Sequence, residues 1–226
     1  MTIIDGGLQD EMGRQIRPVL ANTAKDGSGT WYVPLVDADG KLIMGAGTAL
    51  LGATMGVLKE VRVAQVIDAS LGAYTAGDVV GADDCCTTLA IAWEFTVVSV
   101  AGRAGCILGA TLFNETENQA VQYDLILFNA TPTGELRDNA ANNNPLLGDR
   151  SKWLGTIVFP FSIARGATVA TTTQATPSTS GRLPMPFKCT AAETKIYGVL
   201  VTRTAYTQTA TDDIEITLAI EEYGVA

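Results

Sequence analysis

Carboxylates are the residues of this sequence best placed to do chemistry, and they come in adjacent pairs: Asp83-Asp84, Asp212-Asp213 and Glu221-Glu222. Two carboxyl groups held close together can divide acid and base work, as in glycoside hydrolysis. Neighbours on a strand point to opposite faces, however, so none of these pairs forms a dyad. Glu94, in the middle of an alternating stretch, reads as an exposed strand carboxylate. Asp37-Ala38-Asp39-Gly40-Lys41 is similar to the start of a calcium loop, but its glycine comes early, Lys41 takes a ligand position, and Thr48 stands where the bidentate glutamate belongs. It reads as a turn.

Histidine is absent from the chain. That removes the commonest general base, every triad built on it, and the commonest transition-metal ligand. The cysteines, Cys85, Cys86, Cys106 and Cys189, contain no Cys-x-x-Cys spacing for zinc and read as small apolar residues near strand ends. Gly45-Ala46-Gly47 lacks the further glycine and the following helix of a phosphate loop. Serines and threonines are plentiful, yet none has an identifiable activating partner. No cofactor, no metal and no enzyme activity are expected.

Without reactive groups, surfaces remain. Trp31, Tyr32 and Trp153 lie at the ends of elements, where aromatics serve contact surfaces, and Leu50 and Leu51 sit in a Gly/Ala/Thr tract. These five are the candidate interface residues.

The elements that must position them are strands. Leu89, Ile91, Trp93, Phe95 and Val97 occupy alternate positions, which places one apolar face on a pleated strand. The rhythm returns at Trp153, Ile157, Phe159, Phe161 and Ile163, and again at Ile214, Ile216, Leu218 and Ile220. Further strands are expected at 57–67, 106–113, 121–128 and 195–204, with a turn at Asn114–Asn118 and a short helix around Arg137–Asn142. Pro160 removes a ladder donor, so its strand belongs at an edge or a bulge. Residues 129–151 and 164–186 read as long loops, and loops of that length usually have a job. The expected architecture is all-β: an antiparallel jelly-roll-like β-sandwich over 57–226, preceded by an extended N-terminal arm with a short β-hairpin over 1–56.

Charged residues make up only 17% of the chain and the net charge is −9. A sparsely charged β protein invites edge-to-edge association, so an oligomer or lattice component is expected. The acidity and the lack of any basic run argue against a nucleic-acid partner. No apolar run is long enough to span a bilayer, and residues 1–20 do not read as a signal peptide, so folding in a cytoplasm is expected.

Several segments in order carry a resemblance. They are Ala73-Tyr74-Thr75-Ala76-Gly77-Asp78-Val79-Val80-Gly81, the glycine turn and strand of 102–113, Tyr123-Asp124-Leu125-Ile126-Leu127-Phe128-Asn129, Asp138-Asn139-Ala140-Ala141, and Trp153-Leu154-Gly155-Thr156-Ile157. From about Val66 onward the chain resembles tailed-bacteriophage virion structural proteins of the capsid decoration or cement type. The resemblance implies a jelly-roll-like sandwich on the capsid surface of a virion, assembled in the host cytoplasm. Its partners would be the major capsid protein and further copies of itself, as a homotrimer, and the family has no catalytic residues to transfer. The chain departs from that pattern in its longer 164–186 loop and in Asp83-Asp84-Cys85-Cys86. Two other readings stand beside this one: a tail, baseplate or fibre-attachment component, and a carbohydrate-binding sandwich using Trp31, Tyr32 and Trp153 as its platform.

Overall fold

The fold comes from a computed structural model that describes residues 35–36, 42–43, 56–81, 91–117, 119–164, 170–176, 182–209 and 211–223. The chain divides into two units, Met1–Ala53 and Thr54–Ala226. In the first, β1 (Leu35–Val36) pairs antiparallel with β2 (Leu42–Ile43). Trp31, Tyr32, Leu50 and Leu51, and the expected extended arm, lie outside the described residues.

The second unit is a nest of antiparallel pairs. The outermost joins β3 (Val57–Ile67) to β15 (Asp212–Glu222) over their whole lengths, from Val57 opposite Glu222 to Ile67 opposite Asp212. Inside it, β5 (Val79–Val80) and β6 (Trp93–Thr96) pair in tandem with β13 (Lys195–Thr202). The next pair joins β7 (Ala104–Glu117) to β11 (Ala170–Ala175) and β12 (Met185–Lys188), and the innermost joins β8 (Tyr123–Phe128) to β9 (Trp153–Phe159). Alternate pairs go to alternate layers. β15 bonds β7 in one sheet, ordered β10-β11-β7-β15-β3 with β10 at Ile163–Ala164; β13 bonds β8 in the other, ordered β5-β13-β8-β9. A small ladder of β4 (Ala73–Tyr74) with β14 (Tyr206–Thr207) completes the unit. A long double strand rolled so that successive pairs alternate between two layers is a jelly roll.

Alternation drives the packing. Ile214, Ile216, Leu218 and Ile220 of β15 face the other sheet and are fully buried, together with Trp93, Phe95, Leu112, Leu125 and Ile157. A second, smaller cluster covers the outer side of the β13 layer: Val79, Ile126, Phe128, Tyr197, Val199 and Val201, with Leu136 from the 129–151 segment laid over it. This explains why β8 is apolar on both faces at its far end. Among the described residues no such cluster covers the outer face of the other sheet.

Four local expectations are corrected. Ile91 stands 51% exposed beside buried Trp93 and so does not share its buried face, while Leu89 lies outside the described residues. The turn expected at Asn114–Asn118 is strand as far as Glu117: the buried Asn114 side chain accepts the Thr116 N–H at 2.9 Å, and the local bend is taken up as a bulge in which Asn114 faces Thr171 and Glu117 faces Ala170. Residues 137–142 form no helix: their backbone bonds go sideways to 77–79. The 164–186 segment, read as one loop, holds β11 and the start of β12.

One buried charge is inside the sandwich. Glu222 points inward and accepts the Ser99 N–H (2.7 Å), the Ser99 hydroxyl (2.7 Å) and the Lys59 ammonium (2.9 Å). Burial acts to raise its pKa, but these donors outweigh it and hold the carboxyl at about 2. A depressed pKa contributes stability above the ordinary value of 4.5, lost as pH falls toward 2. We therefore expect Glu222→Gln to be less stable than wild type at neutral pH, with the gap closing through that window, as urea unfolding at several pH values would measure.

Candidate interaction surface

Trp153 is the one sequence-derived interface residue among the described positions. Its parity with Ile157 and Phe159 marks it as core, yet it is 42% exposed. A β-bulge is the cause. Leu127 faces Gly155 and Phe128 faces Trp153, so Leu154 is the extra residue, and the phase of the strand flips there. Gly155 takes a φ of 152°, which an L side chain rarely adopts, and a Cβ there would stand 3.0 Å from Arg182 Nε and Met185 Cε. Leu154 turns in against the core while Trp153 turns out, and the Arg182 guanidinium sits over its ring at 5.6 Å.

Pro160 ends β9 just as this edge strand leaves its sheet, as expected of a residue without a donor. Ser162 then takes the inward position, its hydroxyl accepting the Val121 N–H at 3.0 Å. Phe161 and Ile163 are consequently turned outward and exposed, against the apolar rhythm that had placed them in the core.

The sequence reading also missed the outer face of the open sheet. Register sets Ile163, Thr172, Phe113, Glu215 and Ala64 in one row across β10, β11, β7, β15 and β3. Phe113 is half-exposed and lines a shallow groove of about 290 Å³ with Arg62, Ala64, Glu115, Asp213 and Glu215. Beyond Thr172, a groove of about 270 Å³ runs past Pro160, Phe161 and Ile163. At the far edge, Leu58 and Val66 of β3 are exposed. Phe113, Leu58 and Val66 are large apolar residues out of phase with the buried Leu112 and Ile67, a phase that only the burial of those two reveals.

The resemblance-bearing segments are brought together. Asn139 N–H donates to the Val79 carbonyl (2.9 Å), Val79 N–H to the Ala140 carbonyl (2.8 Å), and Asn142 N–H to the Gly77 carbonyl (2.9 Å). Buried Asp138 accepts the Tyr74 hydroxyl at 2.7 Å and the Gly81 N–H at 3.1 Å. Asn139 supplies the left-handed turn, φ 52°, that lets the chain run along β5. The rest of the 129–151 segment is pinned by Asp149, which receives the Thr133 N–H and hydroxyl and the Lys152 ammonium, each at 2.8 Å. Those donors, the Lys152 hydrogen bond first, hold its carboxyl below the usual range.

Of the candidate reactive residues, Asp83, Asp84, Cys85 and Cys86 lie outside the described residues. Glu94 forms a surface ion pair with Lys195 at 2.5 Å. Cys106 and Cys189 are free and buried, and burial pushes the Cys189 thiol up to about 11, away from the thiolate that reacts. Among the described residues no group of three or more Cys, Asp or Glu is arranged to hold a metal ion, and no helix is long and apolar enough to cross a membrane.

No family model matches the chain, and no curated protein matches it. Among solved structures it is similar to a chain from the capsid of Ralstonia phage GP4, with 17% identity over 80% of this chain and 94% of that one and a TM-score of 0.37. A marine algae virus of the order Picornavirales gives 14% identity over 94% of this chain and 92% of that one, with a TM-score of 0.24. Neither likeness is close enough to carry function.

Proposed function

We propose that this chain is a structural protein of a phage virion, and specifically a capsid decoration protein that binds between major capsid subunits and holds the assembled head. The observation that supports the reading is internal. The five segments that resemble such proteins fall within one sandwich: β8 pairs with β9 in one layer, β7 lies in the other layer, and 73–81 is laced to 138–142 by backbone bonds and Asp138. Segments scattered along a sequence are expected to meet in this way when they were matched as parts of one fold.

The mechanism is adhesion. A shell repeats its binding sites, so modest contacts from each copy sum by multivalency into a strong restraint. The proposed contact residues are Trp31, Tyr32, Leu50, Leu51 and Trp153, joined by the outward Phe113 and Ile163. The unit would act as a homotrimer on the capsid surface, put in place in the host cytoplasm. Mixing the purified full chain with expanded empty heads of the virus that encodes it, then sedimenting, tests this. The chain should travel with the heads at a stoichiometry comparable to that of the shell subunit, and Trp153→Ala with Phe113→Asp should weaken the association. Heads that sediment without it would end the decoration reading, and a handful of copies per particle would favour a tail or baseplate position.

A further inference from the structure

The strand β3 is the last of the open sheet, and among the described residues no strand lies on its far side. Its 11 residues leave a row of backbone donors and acceptors facing outward. Natural edges are guarded by Lys and other charges, by Pro, by bulges or by being short. β3 is long, has no Pro and no bulge against β15, and its outer charges are of both signs. Lys59 is turned inward onto Glu222, at 2.9 Å. That leaves Glu60 and Arg62 on the outer face, opposite in sign and two residues apart, flanking Val61.

This pattern is self-complementary. Consider a second copy meeting β3 antiparallel across a two-fold axis at Val61. Val61 then lies opposite itself, Glu60 opposite Arg62 of the second copy, and Arg62 opposite its Glu60. Leu58, 71% exposed in the single chain, lies opposite Ala64 and is covered. Neighbouring registers fail. An axis at Glu60, Arg62 or Lys59 sets a like charge against itself, and an axis at Val63 puts Glu60 opposite Val66 and Arg62 opposite Ala64, so each keeps only the ion pair of 3.0 Å they make within one chain and gains no partner in the second copy. An axis between residues would oppose outward to inward side chains, which the pleat forbids. We infer that β3 is a docking strand for a second copy of this chain, joined across a two-fold axis at Val61 so that two open sheets become one continuous antiparallel sheet. This contact does not rest on the virion reading. It is compatible with a three-fold unit too, because neighbouring trimers in a lattice meet across two-fold contacts.

Sedimentation velocity of the purified full chain over a wide concentration range tests it. The wild type should self-associate. Glu60→Arg and Arg62→Glu each turn two opposite-charge pairs into two like-charge pairs, and each should weaken association by about tenfold or more. The double swap E60R/R62E rebuilds the pairs with signs exchanged and should restore association to nearly the wild-type level. A wild type that stays monomeric throughout, single variants that associate normally, or a double variant no better than the singles would overturn the proposal. An independent readout fixes the register: mild oxidation of Val61→Cys should give a disulfide between residue 61 of two copies, found by peptide mass spectrometry. Its absence in a variant that still associates would rule out the axis at Val61.

Discussion

Trp93→Ala is expected to lower the unfolding free energy by about 3–5 kcal/mol, the range for removing a large aromatic from a packed interior. The side chain is 1% exposed at the start of β6, and its indole N–H donates to the Val80 carbonyl at 3.0 Å. A Cβ on Gly198, in the facing position of β13, would meet the Trp93 Cβ at 3.4 Å, so this part of the sheet has no slack to collapse into the void. Domains of this kind hold about 5–15 kcal/mol in total, so the variant loses a large share of its stability. Guanidinium unfolding would measure it. Trp93→Phe keeps most of the ring but strands the carbonyl, and should cost about 1–2 kcal/mol. A loss under 1 kcal/mol for the alanine variant would mean that the residue is not packed as described.

Asp138→Ala is expected to have the next largest effect, about 2–5 kcal/mol, because it strands two buried donors at once, each worth about 1–3 kcal/mol. Those donors are the Tyr74 hydroxyl and the Gly81 N–H. Tyr74 also stacks on Tyr206 with centroids 4.7 Å apart, so the damage reaches the β4–β14 ladder. The loss should be local before it is global. Hydrogen exchange should quicken at Val79, Asn139 and Asn142, whose N–H groups lace the two segments, while the amides of β15 stay protected. Asp138→Asn keeps one acceptor in place and should fall between wild type and alanine. Equal exchange in variant and wild type would show that Asp138 does not hold the segment.

The strands most visible in the sequence were those with one wet face and one dry face, β15 above all, where every second residue is isoleucine or leucine and all four are buried. Strands whose inward residues are short went unseen. β11 buries Thr171, Thr173 and Ala175, a pattern without apolar contrast, and it therefore read as loop. The apolar rhythm was also trusted across places where the phase breaks. The bulge at Leu154 turned Trp153 out by adding a residue to the alternation, and Phe161 and Ile163 turned out because β9 ends at Phe159, where the chain leaves its sheet and Ser162 takes the inward position. Periodicity has no way to register a single inserted residue.

The contact surface was harder to read for a related reason. An exposed apolar residue is informative only once the buried phase of its strand is known, so Phe113, Leu58 and Val66 gained meaning when Leu112 and Ile67 were seen to face inward. The self-complementary charges of β3 needed still more, since their significance depends on Lys59 being claimed by Glu222 from a strand more than a hundred residues away.

The outermost pair of the roll, Val57 opposite Glu222, has a practical corollary. Opposed residues in an antiparallel pair lie about 5 Å apart, so the backbone enters and leaves the sandwich through a single doorway. A tag fused directly after Glu222 would therefore start beside Val57, on the strand that opens the sandwich. Cargo belongs at the opposite pole, beyond Ile67 and before Asp212, where it would leave the doorway clear.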